Sequence, residues 1–234
     1  MTVSSESISA LVPGLEEKIA AAQSLVAVNV KSAPTECVTC SFQAEDMIVL
    51  QMVRAIYPDV PVLFLDTGYH FAETYIYRDQ MTAAWNLNLI NLTPRQSVPD
   101  QEAQFGILYQ NAPDQCCKLR KVGPLFRALD GYRVWVTGLR REQSKSRANL
   151  QLEETFALPS GHKLEKLNPL AEWTTRDVWH YAEAHGIPLL PLYELGYSSI
   201  GCAPCTSLPS DPNDPRSGRW KGQKLECGIH IQGQ

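Results

Sequence analysis

Four of the seven cysteines fall into two pairs, Cys116–Cys117 in "PDQCCKLRKV" and Cys202-x-x-Cys205 in "GCAPCT", far apart in the chain. The Cys-x-x-Cys between glycine and proline is a tight knuckle that aims both sulfurs at one point. Cys116 and Cys117 behave differently, because adjacent residues on a helix diverge by about 100° and do not grip one small ion together. They can instead reach two irons of a larger cluster. An iron–sulfur cluster of the 4Fe-4S type fits this spacing, and structural zinc bound by four thiolates is its rival, since softness and ligand count suit both. Cys37 and Cys40 also form a Cys-x-x-Cys, but in an apolar strand-like run where i and i+3 point to opposite faces. They read as small buried hydrophobes.

Cys227, in "ECGIH", stands in polar sequence with no apolar period around it, so it has no core to enter. Lys221, Lys224 and His230 lie close in sequence and favour its thiolate, while Glu226 opposes them. Cations gather at three places: Arg120 and Lys121 after the cysteine pair, Arg140, Arg141, Lys145 and Arg147 after a strand end, and Arg216 and Arg219 near the C-terminus. Two of these groups fall at an expected ligand edge and the third on a segment able to close over it. That pattern suits a compact, doubly charged anion. "SFQAED" (41–46) occupies the place of a phosphate-binding loop, after a strand and before a helix. It lacks the glycine and lysine that cradle a triphosphate.

The elements that must position these groups alternate. An amphipathic helix is expected up to about residue 30, with Leu15, Ile19, Ala22 and Val26 on one stripe. "ECVTC" (36–40) reads as a strand, followed by a helix with Met47, Leu50, Val53 and Ile56 in register. "VPVLFLDTG" (60–68) is a continuous apolar run ending in a carboxylate and a glycine, as a buried parallel strand does. A helix from Ala72, a strand in "NLINLTP", a helix from the cysteine pair to Leu129 and a strand in "YRVWVTG" follow. Thr174 is an expected N-cap, with Asp177 three residues on and Gly186 at the stop. This order predicts an α/β fold with a doubly wound, mostly parallel sheet and ligands at the carboxyl ends of the strands. The domain is expected over 1–206, and 207–234, rich in Pro, Gly, Ser and Asp, is expected as a flexible tail carrying Cys227.

Composition narrows the classes. A net charge of −4 gives no electrostatic reason for nucleic acid as a partner. No window approaches the ~18 uncharged apolar residues of a membrane span. The first residues lack a basic n-region and carry acids within their apolar stretch, so they do not read as a signal peptide. A cytoplasmic setting follows, where thiols stay reduced and seven cysteines point to metal or catalysis.

"SFQAEDMIVL", "LDTGYHFAETY", "CCKLRKVGPL", "TGLRREQS", "GYSSIGCAPCT", "RSGRW" and "ECGIH" occur in the order found in assimilatory adenylyl-sulfate reductases. Together they resemble that family over about residues 36 to 230. The resemblance implies an adenine-nucleotide α-hydrolase-like (Rossmann-like) fold, with a 4Fe-4S cluster on Cys116, Cys117, Cys202 and Cys205. It further implies a nucleophile at Cys227, Lys121 between cluster and substrate, and Arg147, Arg216 and Arg219 on the phosphosulfate. Ser41 and the backbone around Leu65 and Asp66 would frame the nucleotide. The implied reaction is thioredoxin-dependent reduction of adenosine 5′-phosphosulfate (APS) to sulfite and AMP through an S-sulfocysteine. Tyr69, where adenylyl enzymes often carry arginine, resembles the phosphoadenylyl branch, so a cluster-containing reductase that uses the 3′-phosphorylated substrate (PAPS) is the alternative. The oligomeric state is left open.

Overall fold

Continuous apolar runs alternating with amphipathic ones can bury themselves only as strands between layers of helices, and the chain does so. The computed structural model describes residues 12–211, 214–222, 224 and 226–230. The part of the expected first helix before residue 12 lies outside them. In chain order the elements are α1 (Leu15–Asn29), β1 (Glu36–Thr39), α2 (Ala44–Arg54), β2 (Pro61–Leu65), α3 (Ala72–Trp85) and β3 (Asn88–Leu92). The short helices α4 (Val98–Phe105), α5 (Leu108–Asn111) and α6 (Pro113–Cys117) lead through a π-helical turn (Lys118–Val122) into α7 (Gly123–Leu129). Then come β4 (Val134–Val136), β5 (Glu153–Ala157), β6 (Lys163–Leu167) and α8 (Thr175–Ala184).

The six strands lie in the order β3-β2-β1-β4-β6-β5. All neighbouring pairs are parallel except β5–β6, an antiparallel hairpin in which Phe156 faces Leu164. This is the expected doubly wound, mostly parallel sheet. Its strand order changes direction between β1 and β4, which is where such a sheet opens a crevice. Strand alternation divides the interior. Val38, Val62, Phe64, Val134 and Val136 meet Leu15, Val26, Met47, Leu50 and Val178 on one face, while Cys37, Leu63 and Trp135 meet Leu125, Phe126 and Leu129 on the other. Cys37 and Cys40 are thus buried in opposite cores, 0% and 2% exposed.

The helix from the cysteine pair to Leu129 is interrupted. Pro124 has no N–H to offer the carbonyl of Arg120, and Gly123 N–H donates to Lys118 O, five residues back. The widened turn carries Arg120 and Lys121 at its end. The β5–β6 hairpin and helices α4 and α5 have no counterpart in the sequence reading. The hairpin strands "EETFA" and "KLEKL" bury Phe156, Leu164 and Lys166, each preceded by an exposed residue, as an edge hairpin with one wet face does.

Thr174 caps α8 as expected. Its hydroxyl accepts from Asp177 N–H at 3.2 Å, and Asp177 accepts from Thr174 N–H at 2.7 Å, a reciprocal capping box. Asp177 also takes Lys18 Nζ at 2.6 Å, tying α1 to α8. Thr174→Ala should lower the unfolding free energy by about 1 kcal/mol, the usual cost of an N-cap, and a urea titration with an unshifted midpoint would contradict this.

Candidate active site

The loop after β1 opens the crevice without glycine. Phe42 turns the chain at φ 62°, and its fully buried ring is held edge-on by Phe64 (5.7 Å between centroids) and Tyr77 (6.3 Å). A left-handed phenylalanine costs roughly 1–2 kcal/mol, which burial of the ring offsets. Ser41 N–H and Oγ then donate to Asp46 at 2.7 and 2.6 Å. Burial pushes the Asp46 carboxyl up to about 6 despite these bonds. Gly138, just after β4, faces this carboxylate so closely that a Cβ there would lie 2.5 Å from Oδ1 and 2.9 Å from Asp46 N. Glycine at 138 is what lets the two strand ends meet.

One cavity runs from this crevice to the C-terminal segment. Ser41, Gln43, Leu65, Thr137 and Gly138 line one end, and Lys121, Arg147, Arg216, Arg219, Trp220 and Cys227 line the other. The described residues of the C-terminal segment pack against the domain. Trp220 is buried beneath Arg216, Arg219 and Lys224, whose charges stand 5.6, 4.6 and 5.3 Å from its ring. His230 stacks on Trp135, with 5.4 Å between centroids, and Ile229 packs against the core. Charge and aromatic surface anchor this segment, and neither leaves an apolar period to read.

The cations divide by what already holds them. Arg140 is spent on Glu45 (2.8 Å) and Glu142 (3.0 Å), Arg141 on Glu172 (2.8 Å), and Lys145 is exposed. Arg120 is buried, donates to Thr67 O and Gln101, and braces the loop after β2. Arg219 is 6% exposed, and its Nε is buried with no partner among the described residues. Gly201 makes room for it, since a Cβ at 201 would fall 2.0 Å from Nη2. Burial disfavours the Lys121 ammonium, but the sulfurs of Cys202, Cys227 and Cys117 outweigh it and raise its pKa. Arg147 and Arg216 both meet Glu226, at 2.8 and 3.5 Å.

Cys116, Cys117, Cys202 and Cys205 line a second, smaller cavity, closed by Tyr69, Tyr109, Pro113 and Pro204. Lys121 and Trp220 belong to both cavities and form the wall between them. The Cys-x-x-Cys knuckle is fixed to the loop after β2 by Ala203 N–H on Tyr69 O (2.7 Å) and by contact of Cys202 Sγ with Thr67 Oγ1 (3.2 Å). Burial and then the neighbouring sulfurs push the Cys116 thiol up to about 12 and Cys205 to about 11. Among the described residues no three His, Cys, Asp or Glu side chains are placed to hold a metal ion by themselves. The donor set is four free thiols around one enclosed space with a cation at its wall, and thiols so placed ionise together only with a metal between them. They fit a thiolate-bound metal group.

The profile of the phosphoadenosine phosphosulfate reductase domain matches residues 35–208. The chain belongs to this reductase family. It is 47% identical over 189 residues to the adenosine 5′-phosphosulfate reductase of Mycolicibacterium smegmatis, covering 80% of this chain and 79% of that one. It is 45% identical over 202 residues to the enzyme of the same name from Mycobacterium tuberculosis, covering 82% and 77%. Among solved structures, the phosphoadenylyl-sulfate reductase of Candida auris in complex with phosphate superposes with a TM-score of 0.69 at 27% identity, covering 88% of this chain and 99% of that one. An FMN adenylyltransferase of Candida glabrata shares the fold alone, with a TM-score of 0.61 at 14% identity over 87% of this chain and 66% of that one.

Within this reductase fold, Ser41, Lys121, Arg147, Arg216, Arg219 and Cys227 share a cavity, and the four remaining site cysteines share its neighbour. Asp66 stands apart. Its carboxylate accepts from Tyr75 Oη (2.7 Å) and Gly68 N–H (3.0 Å) and does not line the cavity, although Leu65 does. Consecutive residues at a strand end point opposite ways, which separates the two. Tyr69 also lies outside this cavity, donating to Glu102 at 2.7 Å beside the cysteines. The sequence reading did not assign Trp220, which lines both cavities, or Glu226, which pairs with Arg147 and Arg216. Both sit within motifs already singled out, "ECGIH" and "RSGRW".

Proposed function

We propose that this chain reduces adenosine 5′-phosphosulfate to sulfite and AMP, drawing its electrons from a dithiol protein such as thioredoxin in a cytosolic setting. The observation that carries the reading is that Cys227 lines the same cavity as Lys121, Arg147, Arg216 and Arg219, with the strand-end crevice at the far side. The adenosine moiety would lie by Ser41, Leu65 and Gly138, and the phosphosulfate among the arginines. The Cys227 thiolate attacks the sulfur of the phosphosulfate, the bond from that sulfur to the bridging oxygen breaks, and AMP leaves with the electron pair. Arg147, Arg216 and Arg219 neutralise charge on the departing phosphate. The product on the enzyme is an S-sulfocysteine. One thiolate of the dithiol partner then attacks Sγ of Cys227 and expels sulfite, and its second thiol resolves the mixed disulfide, leaving the partner oxidised and Cys227 restored.

A 4Fe-4S cluster on Cys116, Cys117, Cys202 and Cys205 would supply a fixed charge across the wall from the substrate. Lys121, common to both cavities, would orient toward both. Adjacent cysteines that diverge on a helix favour such a cluster over one zinc ion. The names of the relatives support APS as substrate. Tyr69 lies beside the cysteines and not in the cavity with Cys227, which is in keeping with the APS reading.

The test is sulfite release by protein purified without oxygen, given APS or PAPS with reduced thioredoxin. Turnover of APS at least about tenfold faster in kcat/KM is the expected result, a difference of about 1.4 kcal/mol in transition-state binding. Equal use of both, or preference for PAPS, would contradict the assignment of substrate, and no sulfite from either would contradict the reaction.

A further inference from the structure

Two of the arginines that line the cavity, Arg147 and Arg216, are already paired with an anion, and that anion belongs to the C-terminal segment. Glu226 precedes Cys227 and accepts from Arg147 Nε at 2.9 Å and Nη2 at 2.8 Å, a fork-on-carboxylate pairing. Arg216 Nη2 stands 3.5 Å away, and the hydroxyls of Ser144 and Ser146 each donate at 3.0 Å. Glu226 is held below the usual carboxylate range because the hydrogen bond and charge of Arg147, with the charge of Arg216, overcome the effect of its burial. A tetrahedral oxyanion needs the same donors that this carboxylate uses.

We propose that Glu226 is an internal occupant of the anion seat. In the ligand-free chain it holds Cys227 docked at the cavity, and a sulfate-like anion entering between Arg147 and Arg216 displaces it and frees Cys227 to reposition. Glu226 is then a positioning residue that competes with substrate. That the displacing anion in turnover is a phosphosulfate rests on the function proposed above. Other contacts keep the rest of the segment in place without Glu226, among them Trp220 under its cations, His230 on Trp135, and Lys224 on Asp114. Loss of the carboxylate should therefore loosen the Cys227 turn without detaching the segment.

Inorganic sulfate is the probe, and the rate of Cys227 alkylation by iodoacetamide is the measurement, read by peptide mass mapping on the full chain with ionic strength held by chloride. In the wild type, sulfate should accelerate alkylation saturably. Glu226→Gln should be alkylated about five- to fiftyfold faster without sulfate, the scale of losing charge-assisted contacts. It should gain nothing from added sulfate and bind sulfate more tightly by tryptophan fluorescence. Glu226→Asp should fall between the two. The double change Ser144→Ala with Ser146→Ala removes two donors without touching the C-terminal segment, and it should also speed alkylation in the absence of sulfate. An unchanged rate in both Glu226→Gln and the double variant would overturn the proposal, as would sulfate slowing alkylation of the wild type. None of this requires turnover. A chain that answers sulfate in this way but releases no sulfite from APS or PAPS loses the reductase reading and keeps the role of Glu226.

Discussion

A Cys227→Ser variant is expected to fold, retain the metal content of the wild type, bind APS and form no sulfite. Its fold should survive because Cys227 is only half-buried and, among the described residues, belongs to neither core. Its chemistry should vanish because an unactivated hydroxyl is a far weaker nucleophile than a thiolate near neutral pH. Wild-type protein given APS without a thiol partner should release at most one AMP per site. Its mass should rise by one sulfo group, on the tryptic peptide that begins at Leu225, and reduced thioredoxin should discharge it as sulfite. Continued sulfite production by the serine variant, or an adduct on another cysteine, would overturn the mechanism and leave the fold untouched.

Serine at Cys116, Cys117, Cys202 or Cys205 should bleach a brown, anaerobically purified protein and abolish its activity. Four thiols around one small cavity leave no spare donor, and a hydroxyl is too weakly acidic to replace a thiolate. Iron and sulfide measured on each variant decide the matter, and unchanged content with serine at any two positions would remove the ligand assignment. Zinc in place of iron in the wild type would keep the four ligands and discard the cluster. Cys37→Ser and Cys40→Ser provide the contrast. Each buries a hydroxyl in an apolar core and should cost about 1–3 kcal/mol of stability while leaving metal content intact.

Residues whose types are rare carried the sequence reading, and residues whose meaning is relational escaped it. Continuous runs such as "VPVLFLDTG" announced buried parallel strands, and the sheet followed from their alternation. The paired cysteines, Lys121 and the arginines could be gathered from motif order, because thiols and guanidinium groups have few bland uses in such clusters. The direction of the Asp66 side chain could not be read. A carboxylate after a strand looks the same in sequence whether it faces a ligand or, as here, Tyr75 and Gly68. The packing of Trp220 and His230 against the domain was equally invisible, since a lone Trp220 under three cations leaves no period. In sequence Glu226 is only a local charge disfavouring the thiolate, whereas in space its partners include Arg147 and Arg216.

Phe42 has a consequence for how binding free energy is divided along the cavity. Its left-handed turn is fixed by its own aromatic neighbours, and Gly138 meets Asp46 without help from a ligand. A nucleoside entering at that end would meet walls held by the chain's own contacts, so little ordering entropy would oppose it. At the other end an entering anion must first part Glu226 from its arginines. The cavity is rigid where it would recognise the base and sugar and exchangeable where the charge would arrive. In calorimetric terms, adenosine and sulfate offered separately should therefore bind with different signatures: adenosine as to a preformed site, sulfate as to one that must first release an ion pair.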